Sequence, residues 1–279
     1  MKYAYYPGCS AESTARDMNL STLAVAKSLG IELQEPPGWT CCGATAAHQT
    51  DRQLAVSLAA ANLVKVRDMK LDMLVNCAAC YNRMKAANHE VTNHAELRAA
   101  LDQDYDGSVK VRHLIEVLLE DVGLPAIKQS FKRSLNGLKV ACYYGCLLVR
   151  PPGVMKFDDA ENPQSLDRLV TAMGGQSLDW PGKVECCGGG LSLSRTDVVV
   201  NLSESILDMA EQAGADCVVV SCPMCQINLD LRQADMAKKY QMPVVYLTQL
   251  LGLCLGYSAG ELGFEKLMVP ATNVLGKVQ

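Results

Sequence analysis

Ten of the thirteen cysteines fall into two copies of one array, Cys9, Cys41, Cys42, Cys77 and Cys80, then Cys146, Cys186, Cys187, Cys222 and Cys225. The spacings are C-x31-CC-x34-C-x2-C and C-x39-CC-x34-C-x2-C. A glycine follows each CC pair (Gly43, Gly188) and another precedes each lone cysteine (Gly8, Gly145). Thiolates are nucleophiles and ligands for soft metals, and a repeat this detailed is more than packing requires. It reads as a duplicated metal-cluster carrier with a redox function.

Three chemistries compete for the thiols. Zinc normally takes four ligands in a tetrahedron, whereas each array offers five, and two adjacent cysteines chelate a single small ion awkwardly. A dithiol oxidoreductase needs only Cys77-Ala-Ala-Cys80 or Cys222-Pro-Met-Cys225, which leaves three cysteines per array unused. An iron-sulfur cubane uses four thiolates, so a fifth implies a spare ligand or an unusual cluster. The residues by themselves leave the choice open.

The bulk composition narrows the setting. At 279 residues and 49% hydrophobic content the chain is long enough for one large or two small cores. A net charge of -4 without long Lys/Arg runs argues against nucleic acid or anionic lipid as partner. The start lacks the pattern of a secretion signal, and no apolar run approaches the roughly 20 residues that span a bilayer. A soluble, cytoplasmic protein is expected. There thiols stay reduced, and an odd cysteine count also fits a disulfide framework poorly.

The elements that must position these thiols repeat as well. The CC and CxxC pairs of the two copies are both offset by 145 positions and the lone cysteines by 137, so the second copy holds eight extra residues between Cys146 and Cys186. The turn-rich stretch 150–163 is their natural home. In the first copy the pattern predicts a strand over 2–6, a helix over 18–29 stopped by Gly30, a long helix over 51–68 and a buried strand over 71–75. In the second it predicts a strand over 138–144, helices over 165–173 and 197–213, and a strand over 216–221. Each CxxC then sits where a strand gives way to a helix, whose first N–H groups stabilise negative charge. The lone cysteines, after a strand and a Gly turn, reach the same end of the sheet, the usual site of an open α/β layer. Residues 92–132 read as a helical connector, with the boundary near 132–137. The expected fold is therefore α/β, two similar domains related by duplication, 1–135 with the connector and 136–279.

The sequence resembles the duplicated cysteine-rich CCG domains of the B subunit of heterodisulfide reductase. The likeness lies in Tyr3-Ala-Tyr-Tyr-Pro-Gly-Cys9, Cys41-Cys-Gly-Ala-Thr-Ala-Ala-His48, Cys142-Tyr-Tyr-Gly-Cys-Leu-Leu-Val-Arg-Pro-Pro152 with Phe157-Asp-Asp159, and Cys186-Cys-Gly-Gly189. The resemblance implies two noncubane 4Fe-4S clusters, each of two fused smaller units. Cys9, Cys41, Cys42, Cys77 and Cys80 would hold one, and Cys146, Cys186, Cys187, Cys222 and Cys225 the other; zinc in one array stays open. It further implies clusters facing one pocket, where a disulfide is split, or reversibly formed, and each sulfur goes to an iron of one cluster. A ferredoxin-like C subunit and a flavin-containing A subunit would be partners in the same complex. No G-x-G-x-x-G follows a strand, so no flavin or nicotinamide is expected in this chain. Related CCG domains also occur in quinone-linked succinate, glycolate and lactate dehydrogenase complexes, where the arrays would relay electrons. A non-catalytic zinc-binding scaffold is the third reading.

Around the arrays, His48 is a candidate hydrogen-bond donor to a cluster, and Arg150, with Arg83 and Arg195, a candidate for an anionic disulfide. For His89, His94 and His113 surface placement is expected. Cys142, Cys217 and Cys254 read as packing residues. Pro223 suits a first helical turn, and the apolar segment 247–255 either covers the core or docks a partner.

Overall fold

The computed structural model describes residues 1–44 and 46–278. Eight short strands form two separate four-stranded sheets, all parallel. In the first the order is β2 (Glu32–Gln34), β1 (Lys2–Tyr6), β3 (Met73–Val75), β4 (Val111–His113). In the second it is β6 (Gln176–Ser177), β5 (Lys139–Cys142), β7 (Cys217–Val220), β8 (Val244–Tyr246). Both are the same doubly wound order, reversing direction between the first and third strands of the set, and the carboxyl ends at that reversal are where such folds bind ligands. The lone cysteines follow β1 and β5, and the CxxC pairs follow β3 and β7. Strand order alone therefore brings three thiols of each array to the crevice or its rim.

The helices run close to the sequence expectation. They are α1 (Arg16–Ser28), α2 (Arg52–Met69), α3 (Ala78–Asn93), α4 (Ser165–Ala172), α5 (Thr196–Gln212), α6 (Pro223–Asp230) and α7 (Leu247–Cys254). Asp51 caps α2, its carboxylate accepting from the Leu54 amide at 2.7 Å, a contact worth about 1 kcal/mol.

Residues 92–132 are not only a helical connector. They contribute β4, which pairs in register with β3 (Val75 opposite His113), before a short helix Leu114–Glu116 and a π-helical turn Val117–Val122. Strands β2, β6 and β8 are likewise absent from the sequence expectation. Each has only two or three residues, too few for a period to emerge, and β8 is buried on both faces as parallel strands are.

The halves exchange covers. Helix α7, which follows the last strand of the second sheet, packs on α1 of the first half, with the Ser21 and Thr248 hydroxyls 2.7 Å apart in a buried contact. The Leu124–Gln129 helix, which follows the first sheet, packs in turn on α4 of the second half. The segment 247–255 thus covers the core. No described helix is long and apolar enough to cross a membrane.

Candidate functional site: two thiol arrays around one seam

The innermost thiols stand at helix starts. Cys77 is the N-cap of α3, its sulfur accepting from the Cys80 amide at 3.5 Å, and Cys222 is the N-cap of α6 with Pro223 at the first helical position. Both sulfurs thus sit where unpaired amides and the helix dipole favour a thiolate. The residue after Cys77 is stitched to the residue before Cys222, the Ala78 amide donating to the Ser221 carbonyl at 3.3 Å. The two CxxC corners therefore meet back to back, and the Cys77 and Cys222 thiols face each other closely enough for one to raise and the other to lower its partner's pKa.

The glycines make this closeness possible. Gly8 and Gly145 adopt φ of 78° and 66°, and a Cβ on them would lie 3.1 Å from the Cys80 sulfur and 3.3 Å from the Cys225 sulfur. Gly43 and Gly188, also at positive φ, press the CC loops onto α2 and α5, where a Cβ would meet Leu58 at 2.7 Å and Val199 at 3.1 Å. Two buried tyrosines tie those loops to the strands. The Tyr6 hydroxyl donates to the Thr40 carbonyl at 2.6 Å and the Tyr143 hydroxyl to the Glu185 carbonyl at 2.7 Å.

Each array then divides alike. An outer pair reaches the surface region, Cys9 with Cys41 and Cys146 with Cys186, both 3.8 Å apart. An inner pair is buried, Cys42 with Cys80 at 3.4 Å and Cys187 with Cys225 at 3.5 Å. Among the described residues no three His, Cys, Asp or Glu side chains close on one point as a single ion would require. Hydrogen bonding from neighbouring thiols lowers some members: Cys146 brings Cys186 down to about 6, Cys41 and then Cys80 lower Cys42, and Cys225 and then Cys77 lower Cys222. Their partners Cys41, Cys80 and Cys225 are pushed up correspondingly.

Between the arrays lies a cavity of about 200 Å³. The second half contributes Cys146, Cys186, Cys187, Cys222, Cys225 and Met224, and the first contributes Ala78, Ala79, His48, Gln49 and Arg83. A larger hollow of about 410 Å³, lined by Lys85, Lys110 and Arg112, contains no cysteine. Desolvation lowers the His48 pKa from its ordinary value, assisted by the charge of the neighbouring Arg83.

The other candidates fall outside this cavity. Arg150 turns away to pair with Glu161 at 2.8 Å, and Arg195 pairs with Asp197 at 2.7 Å on the surface. The expectation for His113 is corrected: it is fully buried at the end of β4, edge-on to Tyr81 and Phe157, because the strand that carries it is an interior one. Cys142, Cys217 and Cys254 are buried in the core.

Sequence reasoning missed two buried amides that hold the CC loops. Asn62 accepts from the Thr40 amide at 2.8 Å, and Asn228 donates to the Cys187 carbonyl at 3.0 Å and approaches its sulfur at 3.7 Å. A third, Asn82, donates to the Leu147 and Arg150 carbonyls, both at 2.9 Å, and so ties α3 to the turn bearing Cys146. Polar residues on helices otherwise buried were the available signal.

Comparison with known proteins agrees with this architecture. The CCG cysteine-rich domain family matches residues 3–85 and again 140–230. The chain is 33% identical to the 8-methylmenaquinol:fumarate reductase membrane anchor subunit of Wolinella succinogenes, covering 98% of this chain and 99% of that one. It is 32% identical to the B subunit of the ferredoxin:CoB-CoM heterodisulfide reductase of Methanosarcina mazei, covering 99% and 97%. A crystal structure of a hypothetical protein from Helicobacter pylori superposes with a TM-score of 0.77 at 10% identity, over 98% of this chain and 52% of that one, a likeness of fold alone. With both copies of the domain present and that identity holding over nearly its full length, the chain belongs to the family of heterodisulfide reductase B subunits, the duplicated cysteine-rich CCG proteins.

Proposed function

We propose that Cys9, Cys41, Cys42, Cys77 and Cys80 hold one noncubane 4Fe-4S cluster, and Cys146, Cys186, Cys187, Cys222 and Cys225 a second. On this reading the chain is the catalytic B subunit of a heterodisulfide-reductase-type complex, a disulfide oxidoreductase supplied with electrons by a ferredoxin-like C subunit and a flavin-containing A subunit. The residues present fit such groups: the donor set is sulfur throughout, and the glycine turns leave room beside Cys80 and Cys225 that a Cβ would take. When bound, a pair of such clusters supplies two one-electron carriers and iron with high affinity for sulfur.

The observation that carries the reading is a cavity walled by the second array and by Ala78 and Ala79 inside the first CxxC. A substrate there lies against both CxxC corners at once. The apolar walls Ala78, Ala79 and Met224 exclude water, and Arg83, Gln49 and His48 orient polar groups. Arg150 has no part in this arrangement.

Anaerobic purification should give about eight iron and eight acid-labile sulfide per chain, the stoichiometry of two 4Fe-4S groups. The isolated, loaded protein should then reduce a disulfide with an artificial donor, and Cys222→Ser should abolish this. Zinc in place of iron, or full iron without turnover, would overturn the proposal.

The similarity to a fumarate reductase membrane anchor subunit favours a second reading, an electron-transfer subunit of a quinone-linked dehydrogenase. Then the loaded chain passes electrons between artificial donor and acceptor and leaves disulfides intact.

A further inference from the structure

The halves keep every ligand but differ behind them. The offset of 145 sets Arg83, half-buried and without an ion pair among the described residues, in register with Asn228. A larger difference stands behind the second array. At the offset of 137 that maps Cys9 on Cys146, Tyr144 falls on Pro7, which has neither an amide hydrogen nor a hydroxyl. In the second half the Tyr144 and Gly145 amides both donate to the Lys183 carbonyl, at 2.8 and 3.1 Å. Gly145 adjoins Cys146 and Lys183 stands three residues before Cys186. One carbonyl therefore joins the two arms that carry the outer pair.

The side chain of Lys183 carries the tie further inward. It is 6% exposed, and a buried ammonium is costly unless each of its hydrogens finds an acceptor. Three are supplied: the Asp167 carboxylate at 3.0 Å, the Asn162 side-chain oxygen at 3.2 Å and the Pro163 carbonyl at 3.3 Å. Asn162 and Pro163 close the turn-rich stretch in which the second copy holds its eight extra residues. Asp167, in the first turn of α4, also accepts from Ser177 of β6 at 2.7 Å and from the Tyr144 hydroxyl. That hydroxyl in turn accepts from the Leu166 amide at 2.8 Å. Neither buried charge is left unmatched, and the network spans β6, the start of α4 and the added loop.

We infer that Lys183 is a positioning residue for the second array, and that the added loop serves to seat and neutralise it. The inference rests on the proposal that both arrays carry iron. Cys146 and Cys186 are 3.8 Å apart, as are Cys9 and Cys41, but Pro7 denies the first pair the tie that locks the second from behind. The outer ligands are the ones that solvent reaches. Iron leaves when a ligand arm swings away, so a locked pair releases it more slowly. The cavity that would take the substrate is lined by all five cysteines of the second array and, among the described residues, by none of the first. The stiffened array is thus the one a substrate meets, and the first, with freer outer arms, yields its iron more readily.

The test measures iron release from each array in the anaerobic, iron-loaded full chain, mixed with an excess of a colorimetric iron(II) chelator. Cys41→Ser leaves only the second array whole, and Cys186→Ser only the first. With Lys183 in place, the second array should release its iron several-fold more slowly than the first. Lys183→Met should speed release from the second array at least about tenfold and alter the first by less than about twofold. The electron paramagnetic resonance lines of the second array should shift while those of the first stay. Because Lys183→Met leaves the Asp167 carboxylate buried and unpaired, it is repeated together with Asp167→Asn, which removes that charge. The double variant should melt close to the wild type and still lose second-array iron fast. Slow release restored in the double variant, or equal acceleration in both arrays, would overturn the inference while the cluster assignment stands. A chain that takes up no iron would overturn both.

Discussion

The amide of Ala78 donates to the carbonyl of Ser221 at 3.3 Å, so the corner bearing Cys77 is fastened to the corner bearing Cys222. Neither helix start can shift without the other.

Gly145 has no room for a side chain. A Cβ there would sit 3.3 Å from the Cys225 sulfur, at a φ of 66° that other residues adopt only at a cost of roughly 1 kcal/mol or more. Gly145→Ala should halve the iron bound per chain, as should Gly8→Ala beside Cys80. Metal analysis checks this, and unchanged iron content in both variants would show that the turns do not shape the arrays.

Asn62 answers the Thr40 amide from inside the core. Asn62→Ala leaves that amide without its partner just before Cys41, a loss of about 1–3 kcal/mol. Anaerobic denaturant titration measures it. A loss below about 0.5 kcal/mol, the low end for a single hydrogen bond, would mean that the loop finds another acceptor.

His113 and Asp17 set opposing pH responses. Burial holds His113 neutral down to about 3, against an ordinary value of 6.5. Between those values the unfolded chain binds the extra proton, so stability is lost as pH falls below 6.5, by at most about 1.4 kcal/mol per unit. Burial raises Asp17 from 3.8 to about 6; here the folded chain holds the extra proton, and stability is lost as pH rises through that window. The two partly cancel between about pH 4 and 6. His113→Asn, which keeps a side-chain acceptor for the Ile115 amide, should flatten the acid loss, and Asp17→Asn should steepen it. Melting temperatures across roughly pH 4 to 7 decide, and identical slopes in all three proteins would refute both assignments.

Arg150 provides the contrast to Arg83. Its partner is Glu161 at a largely exposed pair, and such pairs contribute about 0–1 kcal/mol. Arg150→Ala should leave disulfide turnover within about twofold of wild type, measured on the iron-loaded chain. A tenfold drop would bring Arg150 back to the cavity.

What could be read from the sequence divides along physical lines. The helices α1, α2 and α5 declared themselves because thirteen or more residues let an apolar stripe recur. Strands β4 and β8 did not, since three buried residues carry no period, and missing β4 is what put His113 on the surface. The arrays were legible because ligand chemistry fixes cysteine type and spacing together. Asn62, Asn82 and Asn228 were not, as an asparagine inside a helix acquires meaning only from the loop opposite. Arg83 lies between: the offset that aligned the cysteines already aligned it with Asn228, but its half-buried, unpaired state belongs to the fold.

The exchanged covers have a consequence for the history and handling of the chain. Met18, Ser21 and Thr22 of α1 are buried, and Ser21 rests against Thr248 of α7, more than two hundred residues later. A first half cut free would bare that seam to water, and a second half would lose the lid supplied by Leu124–Gln129. The two copies are thus obligate companions in folding. Once fused they could diverge in charge, as at positions 83 and 228, without either ever again becoming an independent protein.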